Sequence, residues 1–347
     1  MSNATEASNL KPGDSVKGRY SIIKKLGEGG FGAVYMVEDM NSRRDKYAMK
    51  VEAVREPNQV LKMEVDVLRK LANSGARHAC KIQDKGRNYL FNYVIMTLVG
   101  QSLGDIRKAC DGCKLSMSSA LRVGIQCLEA IEELHKIEFL HRDIKGERPP
   151  TEKSKQWDLA FTPGNYAIGR EEIMEHRIVY ILDFGLARRF TNAKGELRTP
   201  RNTAGFRGTV RYAPLVCHDS QEQSRKDDLE SWLYQQVELS TGSLPWSHIG
   251  NKEAVGRIKK RCRNSGELFV KLPQKYQKIL SYLDSLAYWD IPDYKFIYDL
   301  MGQMMKEARA KDADPFDWEK GGKARGRTQR LPPPIFNPHK DDPVVNF

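Results

Sequence analysis

Two short stretches of this sequence carry side chains that could act on phosphate. His141-Arg142-Asp143-Ile144-Lys145 offers a carboxylate that can accept a proton from a hydroxyl, and a lysine that can neutralise a phosphate oxygen. Pro163-Gly164-Asn165 adds an amide oxygen of the kind that magnesium accepts as a ligand. Groups of these types, in this order, indicate phosphoryl transfer to a hydroxyl.

A glycine-rich stretch and a lysine upstream could bind the phosphates of a nucleotide. Gly27, Gly29 and Gly32 follow the spacing G-x-G-x-x-G, and the absence of Cβ atoms lets the backbone approach phosphate closely. No helix pattern opens directly after Gly32, which disfavours a dinucleotide site. Lys50 follows the apolar residues Tyr47-Ala48-Met49. A lysine at the end of an apolar strand usually points to solvent, but the spacing of Lys50 after the glycines favours a role in binding phosphate.

The elements that must position these groups follow from the hydrophobic pattern. Short apolar stretches between turns predict strands over Tyr20–Leu26, Ala33–Val37, Tyr47–Val51, Ala79–Gln83, Tyr89–Met96 and Ile178–Leu182. Apolar residues at helical spacing predict helices over Gln59–Leu71, Leu103–Ala109 and Ser118–Lys136. Glu64 lies within the first helix and is the predicted partner of Lys50, in preference to Glu52 and Glu56, which precede the periodic segment.

Four motifs in one order make the chain resemble a eukaryotic protein kinase from about Tyr20 to Glu319. They are the glycine-rich stretch, Lys50, His141-Arg142-Asp143 and Asp183-Phe184-Gly185. The resemblance implies an α+β, bilobal protein-kinase fold, with a small β-rich N-lobe containing one main helix and a larger, mostly helical C-lobe. The predicted kinase domain spans 20–310, with the N-lobe at 20–96, the hinge at 97–100 and the C-lobe at 101–310. A flexible segment, 1–19, is predicted before it, and an extension with a basic tail, 311–347, after it.

Further motifs narrow the resemblance to one branch of kinases. Ala213-Pro214-Leu215 stands where most kinases have Ala-Pro-Glu. Gly208–Ala213, Arg225–Ser231 and Gly242–Trp246 look like the casein kinase 1 superfamily, and Arg201–Tyr212 looks most like its tau-tubulin kinase branch. This family does not generally need a phosphate in its activation loop, so none is predicted to be required.

The resemblance implies a serine/threonine protein kinase that uses ATP and Mg²⁺. Asp143 would orient the Ser or Thr hydroxyl and accept its proton, and Lys145 would touch the γ-phosphate. Asn165 and Asp183 would ligate magnesium.

The remaining implied residues bind the nucleotide or support the site. Lys50, held by Glu64, would anchor the α- and β-phosphates, and Asp228 would brace the catalytic loop. The backbone of the hinge could hydrogen-bond the adenine edge. The other residues implied in ATP binding are Leu26, Gly27, Gly29, Gly32, Val34, Ala48, Met96, Thr97 and Val99.

The formal net charge of +12 bears on the substrates and partners. Such a charge suits nucleic acid, an anionic membrane, or acidic or phosphorylated proteins, but no zinc-finger spacing or RNP-like motif supports nucleic acid. The resemblance implies protein substrates that are acidic, already phosphorylated or cytoskeletal. Arg211 is the best candidate for a substrate anion site, ahead of Arg188, Arg189 and Arg207, although such arginines could equally form a solvated basic face.

The location of the protein is predicted from what the sequence lacks. There is no apolar run of about 18 residues and no apolar core in the first 19 residues, so neither a membrane span nor a signal peptide is expected. The six cysteines include one close pair, Cys110 and Cys113, and do not suggest a disulfide framework or a zinc site. A monomer is predicted, in the cytoplasm and also in the nucleus.

The catalytic loop is interrupted by an insert. In the family pattern the Asn follows the Asp by five positions, whereas here Asn165 follows Asp143 by 22, so the 17 residues 146–162 are surplus. If the loop keeps its shape, the ends of the insert must return to about one peptide step, 3.8 Å. Such closure costs about 2–3 kcal/mol, which a large domain tolerates.

Three interpretations of the insert stay open. It could bulge outward from an active kinase. It could displace Lys145 or Asn165 and leave a pseudokinase or a binding scaffold with impaired transfer. It could also come from an unspliced or mispredicted stretch of the coding sequence.

Overall fold

The first part of the chain folds into an antiparallel sheet. The structure is a computed structural model that describes residues 9–29, 32–42, 45–56, 59–146 and 164–328. Within these residues the sheet has six strands, which are β1 (Ser15–Val16), β2 (Tyr20–Gly29), β3 (Gly32–Asp39), β4 (Lys46–Ala53), β5 (Ile82–Arg87) and β6 (Phe91–Thr97). Their order across the sheet is β1-β2-β3-β4-β6-β5.

The pleat of the sheet directs alternate side chains to its two faces. Met49 and Val51 of β4 pack into a small outer core, whereas Ala48 belongs to the main core on the other face. Because successive side chains in a strand point to opposite faces, Lys50 shares the inner face with Ala48. Lys50 lies opposite Val34 of β3 in the register.

One main helix, α1 (Leu61–Asn73), packs on the inner face of the sheet. Glu64 lies on its buried side. Glu52 has a separate function at the helix start, since its Oε1 accepts hydrogen bonds from the N–H groups of Val60 (2.7 Å) and Leu61 (3.0 Å). A carboxylate at this end also interacts favourably with the helix dipole. Glu52 therefore holds the helix that carries Glu64.

The second part of the chain is mostly helical. Its α-helices are α2 (Leu103–Ala109), α3 (Met117–Lys136), α4 (Leu215–His218), α5 (Arg225–Thr241), α6 (Lys252–Ser265), α7 (Lys275–Ser285), α8 (Tyr294–Glu307) and α9 (Arg325–Thr328). The longest helices, α3 and α5, form the centre of the core, where the indole Nε1 of Trp232 donates to the carbonyl of Gly124 (2.9 Å). No helix in the described part of the chain is both long enough and apolar enough to cross a membrane.

Short strands at the top of this helical lobe hold the loops that face the sheet. β7 (Phe139–Leu140) pairs with β10 (Arg188–Arg189), and β8 (Tyr166–Ile168) pairs with β9 (Val179–Ile181). The catalytic loop follows β7, and Asp183 follows β9 closely. The small sheets therefore bring the two motifs together.

The predicted two-lobed α+β architecture is confirmed. β6 ends at Thr97, and Leu98 and Val99 are buried where the chain passes between the lobes. The strand predicted over Ala79–Gln83 was wrong in position, since β5 spans Ile82–Arg87. β5 is an edge strand with alternating burial and few apolar residues, so a search for apolar stretches places it too early.

The packed body extends beyond the predicted boundaries on both sides. In the segment predicted to be flexible, Val16 is buried and pairs with Tyr20, whereas residues 1–8 lie outside the described part. In the C-terminal extension, Phe316 is buried under the guanidinium of Arg122, 3.9 Å from the ring centre. Residues up to Thr328 are described, and the rest of the basic tail is not. All six cysteines lie in the described residues, and none of them forms a disulfide.

Candidate active site

A cavity of about 830 Å³ lies along the hinge between the two lobes. Leu26 and Val99 line it, and both also line a smaller adjoining cavity with Ala48, Met96 and Thr97. These five residues were predicted to contact ATP, and the structure brings them together around one cleft. The C-terminal extension contributes to the outer wall of the larger cavity.

The described part of the glycine-rich stretch lies at the end of β2 and the start of β3. Gly27 lies opposite Val34, and Gly29 lies opposite Gly32. The φ angle of Gly32 is +147°, and a Cβ atom there would lie 1.8 Å from the carbonyl oxygen of Val51. Gly32 is therefore required by the close packing of β3 on β4. Gly30 and Phe31 lie outside the described residues.

Lys50 is held between two carboxylates at the inner end of the cleft. Its Nζ lies 2.5 Å from Glu64 Oε2 and 3.4 Å from Asp183 Oδ1, and all three side chains are buried. Burial opposes the charge on the ammonium group, but the two carboxylates outweigh it and raise the pKa of Lys50. The lysine is therefore a fixed positive charge at physiological pH.

Asp183 reaches Lys50 through an unusual backbone conformation. Its φ angle is +62°, in the left-handed region that Asp tolerates better than most residues. The next residue, Phe184, is buried with its ring centre 5.6 Å from that of His141. The buried ring fixes the backbone, and Asp183 Oδ1 also accepts a hydrogen bond from the N–H of Gly185 (3.3 Å).

The Asp143 carboxylate gathers the polar groups of the catalytic loop. Lys145 Nζ donates to Oδ2 (2.6 Å), and Asn165 Nδ2 donates to Oδ2 (3.1 Å) and to the backbone carbonyl of Asp143 (2.9 Å). Both the N–H and the hydroxyl of Thr209 donate to Oδ1, each at 2.9 Å. Lys145 and Asn165 therefore meet on one carboxylate, although the insert separates them in sequence.

The two ends of the insert lie against each other. The N–H of Asn165 donates to the carbonyl of Lys145 (3.0 Å), and a Cβ atom on Gly164 would lie 2.0 Å from the carbonyl oxygen of Gly146. The N–H of Leu182 in turn donates to the carbonyl of Asn165 (2.9 Å), which ties the loop to β9. The two described flanks of the insert are thus in direct contact beside Asp143. Residues 147–163 lie outside the described part.

Replacing Gly164 by Ala should damage this closure. The new Cβ would collide with backbone atoms of Gly146, so the loop must move, and a shift of about 1 Å can cost a hundredfold in rate. We expect kcat for peptide phosphorylation to fall by about tenfold to a hundredfold. Steady-state kinetics would measure it. Gly302→Ala is the matched control, since a Cβ on Gly302 in α8 meets nothing within 4 Å. Wild-type kcat in both variants would contradict the prediction.

Asp228 supports the catalytic loop from α5. Its carboxylate accepts hydrogen bonds from the backbone N–H groups of His141 (2.7 Å) and Arg142 (2.8 Å), and it contacts the imidazole of His135 (2.9 Å). Burial alone would raise the pKa of Asp228, but these donors outweigh it and lower the pKa. Asp228 is buried and contacts the loop in the way the resemblance implies.

His141 cannot serve as a general base in this arrangement. Its Nε2 contacts the carbonyl of Leu182 (3.1 Å), and its Nδ1 accepts from the N–H of Asp143 (3.3 Å). Burial lowers its pKa, which favours the neutral ring. Both ring nitrogens thus contact backbone groups. The ring packs between the catalytic loop and the Asp183-Phe184-Gly185 motif.

Arginines surround a buried carboxylate beside the catalytic loop. Glu222 lies 2.5 Å from Arg201 and 3.8 Å from Arg188, and only 4% of its side chain is exposed. Burial and the neighbouring Arg188 lower the pKa of Arg142 to about 10, although Glu222 opposes the shift. A negative charge is therefore already present among these arginines.

Arg211, the predicted substrate anion site, is largely buried. Its guanidinium contacts Glu238 Oε1 (3.2 Å) and the carbonyl of Ser247 (2.9 Å), and 10% of its side chain is exposed. Of the other candidates, Arg189 pairs with Glu138 (2.5 Å). The role of Arg211 in anion binding stays a prediction.

Comparison with known proteins identifies the family. The family model described as protein kinase domain matches residues 20–310, so the chain belongs to the protein kinase family. A probable serine/threonine-protein kinase of Dictyostelium discoideum is 36% identical over 308 residues, which cover 88% of this chain and 58% of that relative. The chain thus spans a little over half the length of that protein.

Two nematode relatives are matched over more of their length. The serine/threonine-protein kinase spe-6 of Caenorhabditis elegans is 34% identical over 307 residues, covering 87% of this chain and 76% of the relative. A putative casein kinase I of the same organism is 31% identical over 324 residues, covering 91% and 87%. The predicted enzyme class, a serine/threonine protein kinase, is confirmed.

Proposed function

We propose that this chain transfers the γ-phosphate of ATP to Ser or Thr hydroxyls of acidic or already phosphorylated proteins. The observation that carries the proposal is the gathering of Lys145, Asn165 and Thr209 on the Asp143 carboxylate. Protein kinases generally use ATP and Mg²⁺, and phosphoryl transfer depends mainly on positioning and on neutralising charge. The groups gathered on Asp143 are suited both to positioning the hydroxyl and to neutralising charge on the phosphate.

In this proposal Asp143 orients the accepting hydroxyl and takes its proton, while Lys145 neutralises the γ-phosphate. Lys50, held by Glu64, anchors the α- and β-phosphates. Binding of the nucleotide in the cleft would place its phosphates between the glycine-rich stretch and these lysines.

The donor set beside Asp183 fits a magnesium ion. The amide nitrogen of Asn165 is used on Asp143, which leaves its oxygen as the group that can act as a ligand. Asp183 adds a carboxylate oxygen, and oxygen ligands are the ones that Mg²⁺ prefers. When bound, the ion would neutralise charge on the phosphates.

We assign the chain to the casein kinase 1 superfamily, with most similarity to the tau-tubulin kinase branch. One relative carries the name casein kinase I, and the Gly208–Ala213 run supports the same placement. The proposed substrates include cytoskeletal proteins, and the proposed location is the cytoplasm and nucleus, as a monomer. The formal net charge of +12 supports a preference for anionic substrates.

Transfer of labelled phosphate from ATP to a Ser peptide, with and without magnesium, tests the proposal. A specific observation, the 17 surplus residues 146–162, keeps a second candidate in view, namely a pseudokinase or binding scaffold with impaired transfer. Magnesium-dependent transfer supports the enzyme, whereas nucleotide binding without transfer supports the second candidate.

The origin of the insert is tested on the native protein. Trypsin should release Gln156–Arg170 as one peptide if the insert is present. If the insert is absent, Asp143-Ile144-Lys145 will be joined to Pro163–Arg170, because trypsin cuts Lys-Pro bonds poorly. Mass spectrometry distinguishes the two peptides.

Arg211→Ala should weaken phosphorylation of acidic or primed peptides more than that of neutral peptides. An Arg–phosphate bond is charge-assisted and is lost only where the peptide carries an anion, so we expect a selective drop in kcat/KM of about tenfold. Paired assays with primed and neutral peptides measure it, with Arg189→Ala as the control. Equal losses on both peptides would exclude Arg211 as the anion site.

A further inference from the structure

Lys259 is a buried lysine with no assigned role. Its side chain belongs to α6, where it shares the buried face with Val255 and Cys262, and 1% of the residue is exposed. Its ammonium group lies over the rings of Tyr234 (4.9 Å to the centre) and Trp246 (5.3 Å). Burying a cation is costly unless it is well paired, so this position calls for an explanation.

Three acceptors surround the Lys259 ammonium group. Nζ donates to the carbonyl oxygens of Ala213 (2.6 Å) and Val210 (2.9 Å), and it lies 3.3 Å from Nε2 of His218. His218 Nδ1 contacts the carbonyl of Lys252 (3.1 Å), so the proton belongs on Nδ1 and Nε2 is left to accept. An ammonium group has three hydrogens, and each has a partner.

The segment that Lys259 holds is the one that contacts the Asp143 carboxylate. Thr209, next to Val210, donates two hydrogen bonds to Asp143 Oδ1. Between the two carbonyls bound by Lys259, the carbonyl of Arg211 accepts from the indole Nε1 of Trp246 (2.7 Å). The side chains of Lys259 and Trp246 therefore fix the backbone of Thr209–Ala213.

The titratable groups around Lys259 shift its pKa in opposite directions. Burial lowers its pKa to about 7, and Arg263 on the same helix adds to the shift. Glu230 of α5 and Cys217 of α4 oppose it. His218 stays neutral, because burial lowers its pKa to about 4. A methionine of similar length would avoid the desolvation cost, so the lysine is best explained by the carbonyls that it binds.

We propose that Lys259 is a positioning residue for the protein substrate, because it fixes the Thr209–Ala213 backbone that carries Thr209 to Asp143. The inference rests on the proposed function, in which the accepting hydroxyl approaches Asp143. The substrate chain must then pass along Thr209–Ala213. Lys259 acts through this backbone and touches neither ATP nor the reacting atoms.

Lys259→Met tests the inference, because it keeps the length of the side chain and removes every donor. The KM for a Ser peptide should rise by about tenfold to a hundredfold, the range expected on losing bonds from a charged donor, while the KM for ATP changes less than about twofold. Lys260→Met is the matched control, since Lys260 lies on the same helix but pairs with Asp219 (2.7 Å) at the surface. The control should keep both values.

Peptide affinity is also measured directly, by fluorescence anisotropy with a non-transferable ATP analogue and magnesium. If the wild-type protein transfers no phosphate, the proposed function is wrong. Weaker peptide binding in Lys259→Met would still support this inference. If the Met variant does not fold, Lys259→Gln replaces it, with a smaller rise expected in the same quantity. Unchanged peptide affinity in a folded variant overturns the inference, as does an equal rise in the KM for peptide and for ATP.

Discussion

Asp183→Asn should lower kcat for peptide phosphorylation by about a thousandfold or more. The substitution keeps the shape of the side chain but removes a negative charge from the cleft, 3.4 Å from Lys50. The proposed magnesium site would lose its carboxylate. Lys50 keeps its contact with Glu64, so nucleotide binding in the absence of metal should change little. Labelled ATP measures transfer, and thermal shift measures nucleotide binding.

Asp299→Asn provides the matched control for Asp183→Asn. Asp299 is exposed on α8 and pairs with Lys295 at the surface (2.6 Å). The control should keep wild-type kcat, because an exposed ion pair contributes little to stability and Asp299 is not among the predicted site residues. If Asp183→Asn retained more than a tenth of the wild-type rate, Asp183 would not be the metal ligand.

Asp143→Asn should lower kcat by about 10²–10⁴-fold, the usual contribution of a general base. An amide cannot take the hydroxyl proton, although its oxygen can still accept from Thr209. The KM for ATP should stay within about twofold, because Lys50 and the hinge do not contact this side chain. Rapid-quench measurement of a single turnover would separate the chemical step from product release.

The Asp143 variant must remain folded for this result to count. Thermal unfolding should therefore accompany the kinetics, since the carboxylate also holds Lys145 and Asn165. Wild-type single-turnover rates in a folded Asp143→Asn protein would remove Asp143 from the mechanism. A loss confined to the KM for ATP would do the same.

The predictions that succeeded depended on local spacing. Glu64 could be chosen as the partner of Lys50 because it lies within the periodic helical segment, which Glu52 precedes. The structure then places Glu64 on the buried side of α1 and in contact with Lys50. The structure adds the face of the strand: side chains alternate along β4, so Lys50 shares the inner face with Ala48 beside the cleft. Patterns of this kind are set by neighbours in sequence, so they can be recognised without the fold.

Contacts between distant segments could not be predicted in the same way. Thr209 stands 66 positions after Asp143, and nothing local distinguishes it from the other threonines of its segment. Arg211 could be selected because it lies in a family motif. Its pairing with Glu238 could not be predicted, because Glu238 lies on α5 and reaches Arg211 only in the folded chain.

Lys259 illustrates how a pattern of charge can mislead. Three consecutive basic residues are typical of an exposed surface, as in Lys259-Lys260-Arg261. Lys259 is nevertheless buried. The signal that could have revealed it is the spacing of Val255, Lys259 and Cys262, which lie four and three residues apart on one helical face. A lysine on an apolar stripe is worth testing as a buried group.

The contact between Gly146 and Gly164 has a consequence for how this chain can vary. When the two ends of a segment touch, its length has little effect on the free energy of folding, since each doubling of a flexible loop costs only about 0.6 kcal/mol. The flanks are joined directly by the hydrogen bond from the N–H of Asn165 to the carbonyl of Lys145, so we expect the geometry around Asp143 to depend little on what the intervening segment contains. We expect that residues 147–162 could be exchanged for an epitope or a fluorescent domain, and the reporter would then begin two positions after Lys145.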